Sequence, residues 1–130
     1  MKWLRGICAG PDGNIFGVPS NADYVLKIIP EKNDVEIFGK QMHGHWKWHG
    51  GNLGGDGNIY AIPANAERVL KINPFTEEVT QIGPSFKGAQ KWYGGLNGSD
   101  GCIYGMPYNA DCIIKIDPAR QEVTTIGNVP

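Results

Sequence analysis

Three histidines, His43, His45 and His49, lie in the stretch MHGHWKWHGG. Imidazoles two residues apart on an extended chain fall on one side of it, the spacing of a metal pair. All three are therefore candidate metal ligands. No carboxylate adjoins them, and the columns 44 residues on hold Lys87, Ala89 and Tyr93. The competing reading is a connecting loop with solvent-facing histidines. Aromatic residues form a second candidate set: Trp46, Trp48, Trp92, Tyr93 and Tyr108. Such rings stack on sugars or peptides, or they fill the space between packed elements. Trp46 and Tyr108 are the candidates for ligand contact, because their columns are not uniformly aromatic. Asn21, Asn65 and Asn109 recur at one position of a turn, either as ligand-binding amides on a common rim or as turn residues that tolerate the left-handed region. Lys27, Lys71 and Lys115 recur inside apolar strands. A half-buried lysine needs a partner. Counting back through the intervening turn brings each beside an aspartate, which predicts the ion pairs Lys27–Asp12, Lys71–Asp56 and Lys115–Asp100.

A search for catalysis yields nothing coherent. The glycine-rich GGDGN precedes a strand and is no phosphate loop, and no serine sits in a nucleophile elbow. Asn52 and Asn97 occupy neighbouring columns with no acid beside them, unlike a carboxylate-and-amide metal site. Cys8, Cys102 and Cys112 are odd in number and have no framework spacing, as expected of small thiols in a reducing compartment. No cofactor is implied, and the chain is expected not to be an enzyme.

The elements that carry these residues follow from an internal repeat. Asp-Gly recurs at Asp12, Asp56 and Asp100, Pro-x-Asn-Ala at Pro19, Pro63 and Pro107, and Lys-Ile-x-Pro at Lys27, Lys71 and Lys115, each at a step of 44 residues. Only the Lys-Trp pair slips, with Trp3 one residue early relative to Trp48 and Trp92. Each unit reads as four strands. In the second copy these are WHGGNL, NIYAIP, ERVLKI and EVTQIG, separated by a Gly-Asp-Gly-Asn hairpin signal, an Ala-Asn-Ala turn and an Asn-Pro turn. No window carries a helical apolar period. The middle strands are apolar throughout, as expected of strands buried on both faces, and the fourth is more polar. Gly50-Gly51 and Gly94-Gly95 remove side chains where first strands crowd an axis, and Gly6-Ile7 falls at these positions in the first copy.

Four-stranded antiparallel units at this period are blades of a β-propeller. The predicted fold is all-β, with three blades over about residues 2–46, 47–90 and 91–130 as a single segment. The combined string K-W-x-G-G…D-G-x-I-Y-G-x-P-x-N-A…K-I-x-P resembles β-propeller repeat proteins, including multimeric and designer propellers built from a duplicated blade. Those relatives carry enough blades to close a ring, whereas this sequence has three. Its flanking blades would expose more contiguous apolar surface than a monomer normally shows. A head-to-tail contact must close or grow, so the expected partner is the chain itself: a dimer with six blades or a trimer with nine.

Composition narrows the partners further. With 12 Lys+Arg against 13 Asp+Glu, the net charge of −1 gives no basic face for nucleic acid. No apolar run approaches the ~20 residues that span a bilayer. The start, MKWLRGICAG, has no secretory h-region, which predicts a cytoplasmic protein if the chain is natural. The expected function is a self-assembling propeller unit, a scaffold or interaction module. The alternatives are a small glycan- or peptide-binding propeller that uses rim aromatics, and a metal-dependent propeller hydrolase.

Overall fold

The structure is a computed structural model that describes residues 1–129. Its strands form three separate four-stranded antiparallel sheets. The first comprises β1 (Trp3–Ala9), β2 (Asn14–Pro19), β3 (Val25–Ile29) and β4 (Asp34–Phe38). The second comprises β5 (Trp48–Leu53), β6 (Ile59–Pro63), β7 (Val69–Ile72) and β8 (Val79–Ile82). The third comprises β9 (Trp92–Asn97), β10 (Ile103–Pro107), β11 (Ile113–Asp117) and β12 (Glu122–Ile126). Within each sheet the strands follow chain order, and the first strands β1, β5 and β9 lie side by side on the inner edge. This is the meander and radial arrangement of propeller blades. A single turn of 3-10 helix, Pro30–Lys32, interrupts the sheets, and no helix among the described residues is long and apolar enough to cross a membrane.

The apolar middle strands of the second blade are buried on both faces because a blade covers each, while those of the first and third blades are covered on one. Two clusters result, one per junction. Phe16, Val18 and Val25 of the first blade meet Trp48, Ile59, Leu70 and Ile72 of the second. Tyr60, Ile62 and Val69 of the second meet Trp92, Ile103, Ile114 and Ile116 of the third. Each motif tryptophan is pinned at its polar end. The Trp3, Trp48 and Trp92 indole N–H groups donate to the carbonyls of Tyr24, Arg68 and Cys112 at 2.7, 2.8 and 2.8 Å.

The pairing register explains the early position of Trp3. Trp3, Trp48 and Trp92 all pair with the strand-end prolines Pro19, Pro63 and Pro107. In the first blade β1 ends at Ala9 and β2 begins at Asn14, so Gly10, Pro11, Asp12 and Gly13 make the turn. Measured between the paired residues Cys8 and Ile15, the connection holds six residues, against five between the equivalent pairs Leu53–Ile59 and Asn97–Ile103. Arg5-Gly6, and not Gly6-Ile7, therefore occupies the position of Gly50-Gly51 and Gly94-Gly95. The two residues of that pair have different jobs. The first sits in a bulge at positive φ, 76° at Gly50 and 78° at Gly94, and Arg5 adopts 62° there without glycine's freedom. The second is a close approach, since a Cβ on Gly51 would lie 2.8 Å from Val18 Cγ2 of the preceding blade.

Candidate functional site

The blade junctions carry most of the polar chemistry. The lysines that precede Trp48 and Trp92 are buried, with Lys47 and Lys91 both 4% exposed. Lys47 Nζ donates to the carbonyls of Ser20, Ala22 and Gly44 at 3.0, 2.7 and 3.0 Å. Lys91 Nζ repeats this with Ala64, Ala66 and Gly88 at 2.8, 2.8 and 3.1 Å. Two of the three carbonyls belong to the preceding blade, so each ammonium clasps two blades. Burial pushes both lysines below their ordinary range, opposed by Asp23 near Lys47 and Glu67 near Lys91.

The recurring asparagines form a second clasp. Asn21 Oδ1 accepts from the backbone N–H of Trp46 at 2.8 Å, and Asn65 Oδ1 accepts from that of Gln90 at 2.7 Å. Trp46 and Gln90 hold φ of 50° and 46°, a conformation that side chains rarely adopt unaided. On the other side of the amide, Asn65 and Asn109 donate to the carbonyls of His45 and Ala89. These asparagines are positioned by turns and spent on backbone.

The lysine–aspartate pairs expected from sequence are not formed among the described residues. Lys27 reaches forward 50 residues to Glu77 Oε2 at 2.6 Å, and that hydrogen bond raises its pKa. Lys71 likewise donates to Gln121 Oε1 at 2.7 Å, and Lys115 stands 5.9 Å over the Tyr104 ring. The aspartates serve their own hairpins. Asp56 accepts from Tyr60 Oη at 2.5 Å and from the Asn58 backbone at 3.1 Å, and Asp100 accepts from Tyr104 and from the Cys102 N–H. Burial and the bond to Asp56 push the Tyr60 hydroxyl up to about 12. Asp12 lacks such a partner because Phe16 stands where Tyr60 and Tyr104 do.

The histidines do not converge on a metal. Among the described residues no group of three His, Cys, Asp or Glu side chains has metal-binding geometry. His43 is exposed beside Asp23 at 3.5 Å, and His45 is exposed. His49 turns away from them and is 9% exposed, its ring stacked on Tyr93 with centroids 3.4 Å apart. Asn52 and Asn97 do meet at the inner edge, Nδ2 to Oδ1 at 2.8 Å. They bond each other and the adjacent backbone, with no acid between them.

His49 lies instead in an aromatic pocket at the junction of the second and third blades. Trp46, His49, Ala64, Gln90, Tyr93 and Tyr108 line a cavity of about 220 Å³. The structure thus unites four of the sequence candidates, Trp46, His49, Tyr93 and Tyr108. Burial lowers the His49 pKa below 6.5. The folded chain therefore sheds this proton before the unfolded chain does, and stability is lost as pH falls through 6.5 towards the folded value. Urea unfolding between pH 7 and 5 should show that loss, and His49→Phe should flatten it. An equal slope in the variant would place the titration elsewhere.

The junction lysines were missed at the sequence level, although their signal was there: Lys2, Lys47 and Lys91 all precede the motif tryptophan.

The fold recurs in solved structures. A streptogramin B lyase superimposes with a TM-score of 0.77 at 16% identity over 98% of this chain and 41% of that one. Virginiamycin B lyase from Staphylococcus aureus gives 0.74 at 17% identity, covering 93% and 40%. A putative 6-phosphogluconolactonase from Bacteroides uniformis gives 0.66 at 17%, covering 98% and 41%. The chain spans about two fifths of the length of these structures, and at such identities the likeness shows the fold alone. No curated protein matches the sequence. The match that reaches the sequence itself covers residues 10–130, and by it the chain belongs to the family described as a repeat of unknown function (DUF6923).

Proposed function

We propose that this chain is a self-assembling propeller unit without enzymatic activity, whose first and third blades join those of further copies to close a ring of six or nine blades. The observation that supports this is that the two free edges are the separated halves of the internal junctions. At each internal junction an apolar knob fills a glycine-floored socket: Val18 over Gly51, and Ile62 over Gly95 and Gly105. The third blade offers Met106 as the next knob, 40% exposed where Val18 and Ile62 are 1% and 0%. The first blade offers the matching socket at Gly6 and Gly17, which pair with each other as Gly95 and Gly105 do.

The polar clasps are split in the same way. Lys2 occupies the position of Lys47 and Lys91 but is exposed. No lysine reaches the carbonyls of Tyr108 and Ala110 among the described residues, although these stand where Ala64 and Ala66 receive Lys91. Trp3, Ile15, Leu26 and Ile28 are only half-buried, while their counterparts Trp48, Ile59, Leu70 and Ile72 are buried. A second copy satisfies all of these groups at once, with the geometry the chain already uses internally.

Sedimentation velocity of Lys2→Ala tests the reading. Lys2 makes no internal clasp, so its loss should leave the single chain folded and raise the concentration of half-assembly at least tenfold. Assembly unchanged by the substitution would contradict the matched edges.

A further inference from the structure

We infer that the pocket between the second and third blades is a binding site for one neutral pyranose ring, such as the terminal sugar of a glycan. The first support is how this pocket differs from its counterpart one blade earlier. Thirteen of the 44 repeat columns are identical in all three copies, and the pocket columns are among those that vary. Trp46 stands opposite Gln90 in the alignment of copies, His49 opposite Tyr93, and Tyr108 opposite Ala64. All six of these residues line the one cavity. In that alignment the counterpart positions at the junction of the first and second blades, Lys2, Arg5, Ser20, Trp46, His49 and Ala64, hold two cations and two rings, whereas this pocket holds four rings and no lysine or arginine. Tyr93 and Tyr108 are 53% and 63% exposed, a cost in ordered apolar surface that fold stability does not explain.

The second support is the chemistry of the walls. The volume of about 220 Å³ is below that of pockets for drug-sized ligands and cofactors, typically ~300–1,000 Å³, and has room for a single ring. The Tyr93 and Tyr108 rings lie 5.7 Å apart and are inclined at 34°. Such a splayed pair makes no parallel slot for a flat aromatic ring. A puckered ring with C–H groups on its faces can lie against both. None of the lining side chains is an acid, lysine or arginine, so a charged ligand would lose its hydration without finding a counter-charge. Gln90, the indole N–H of Trp46 and the two tyrosine hydroxyls supply donors and acceptors for sugar hydroxyls. Beneath the exposed Tyr93 ring, His49 Nδ1 is buried with no partner. A hydroxyl that displaces Tyr93 outward would supply the missing hydrogen bond.

The pocket lies within one chain, so its test is independent of assembly. Saturation-transfer NMR and titration calorimetry on the full chain would use methyl glucopyranoside, methyl galactopyranoside and methyl mannopyranoside, with phenol as a flat aromatic comparator. At least one glycoside should bind with a dissociation constant in about the millimolar range. The variants Trp46→Gln and Tyr108→Ala each install the residue of another repeat copy, and so preserve the fold. Together they should weaken that binding about tenfold or more. The inference is overturned if no glycoside binds at 10 mM (roughly ten times the expected constant), if phenol alone binds, or if the double variant binds as the parent does.

Discussion

With methionine in place of Lys91, the chain should unfold about 3 kcal/mol more easily, seen as a lower urea midpoint at an unchanged m-value. Methionine preserves the length and apolar stem of lysine but cannot donate. Three carbonyls, those of Ala64, Ala66 and Gly88, then lose a charged donor within 3.1 Å in a site that is 4% exposed. Bonds to a charged group contribute about 1.5–3 kcal/mol each, and the desolvation of the ammonium that lowers its pKa offsets a good part of their sum. The Ala64 carbonyl keeps a weaker bond from the Lys91 backbone N–H at 3.2 Å, so its loss is partial. Lys47→Met should behave alike. Wild-type stability in both variants would mean that desolvation cancels the three bonds and that apolar packing alone holds the blades.

Met106→Glu should weaken assembly by more than a hundredfold while leaving the isolated chain as stable as the parent at high dilution. The side chain is 40% exposed and lies outside both apolar clusters, so the single chain gives up little packing. In the proposed ring the same position would face the floor of Gly6 and Gly17. The internal copies of that contact leave no slack: Ile62 lies 3.1 Å from where a Cβ would stand on Gly95 and on Gly105. A carboxylate driven into such a socket would be buried without a donor, a cost of several kcal/mol. Sedimentation velocity across the micromolar range gives the comparison. If Met106→Glu assembles as the parent does, Met106 is not the knob.

Much of the fold was legible because it is periodic. One 44-residue step fixes where strands, hairpins and turns recur, and middle strands apolar on both faces imply blades stacked face to face. The slip at Trp3 was visible too, but its cause was not. The extra residue lies in the β1–β2 turn, and only the pairing of Trp3 with Pro19 reveals that Arg5 carries the bulge. The lysine partners were misplaced for a related reason. Counting along a hairpin finds neighbours within a blade, such as Asp12 beside Lys27. Which residue of the next blade comes closer depends on how blades stack, and that brings in Glu77. The histidine spacing was likewise a property of an extended chain. His49 is already inside β5 and faces Tyr93, so it parts from His43 and His45. The pocket was half legible, since uneven columns singled out Trp46 and Tyr108 before their convergence could be known.

The mass of the intact assembly in solution, by native mass spectrometry of the 14.2 kDa chain at micromolar concentration, bears on the central claim most directly. A closed species of two or three copies is the expected result. A stable, folded single chain, with its Trp3 and Met106 edges left bare, would contradict it.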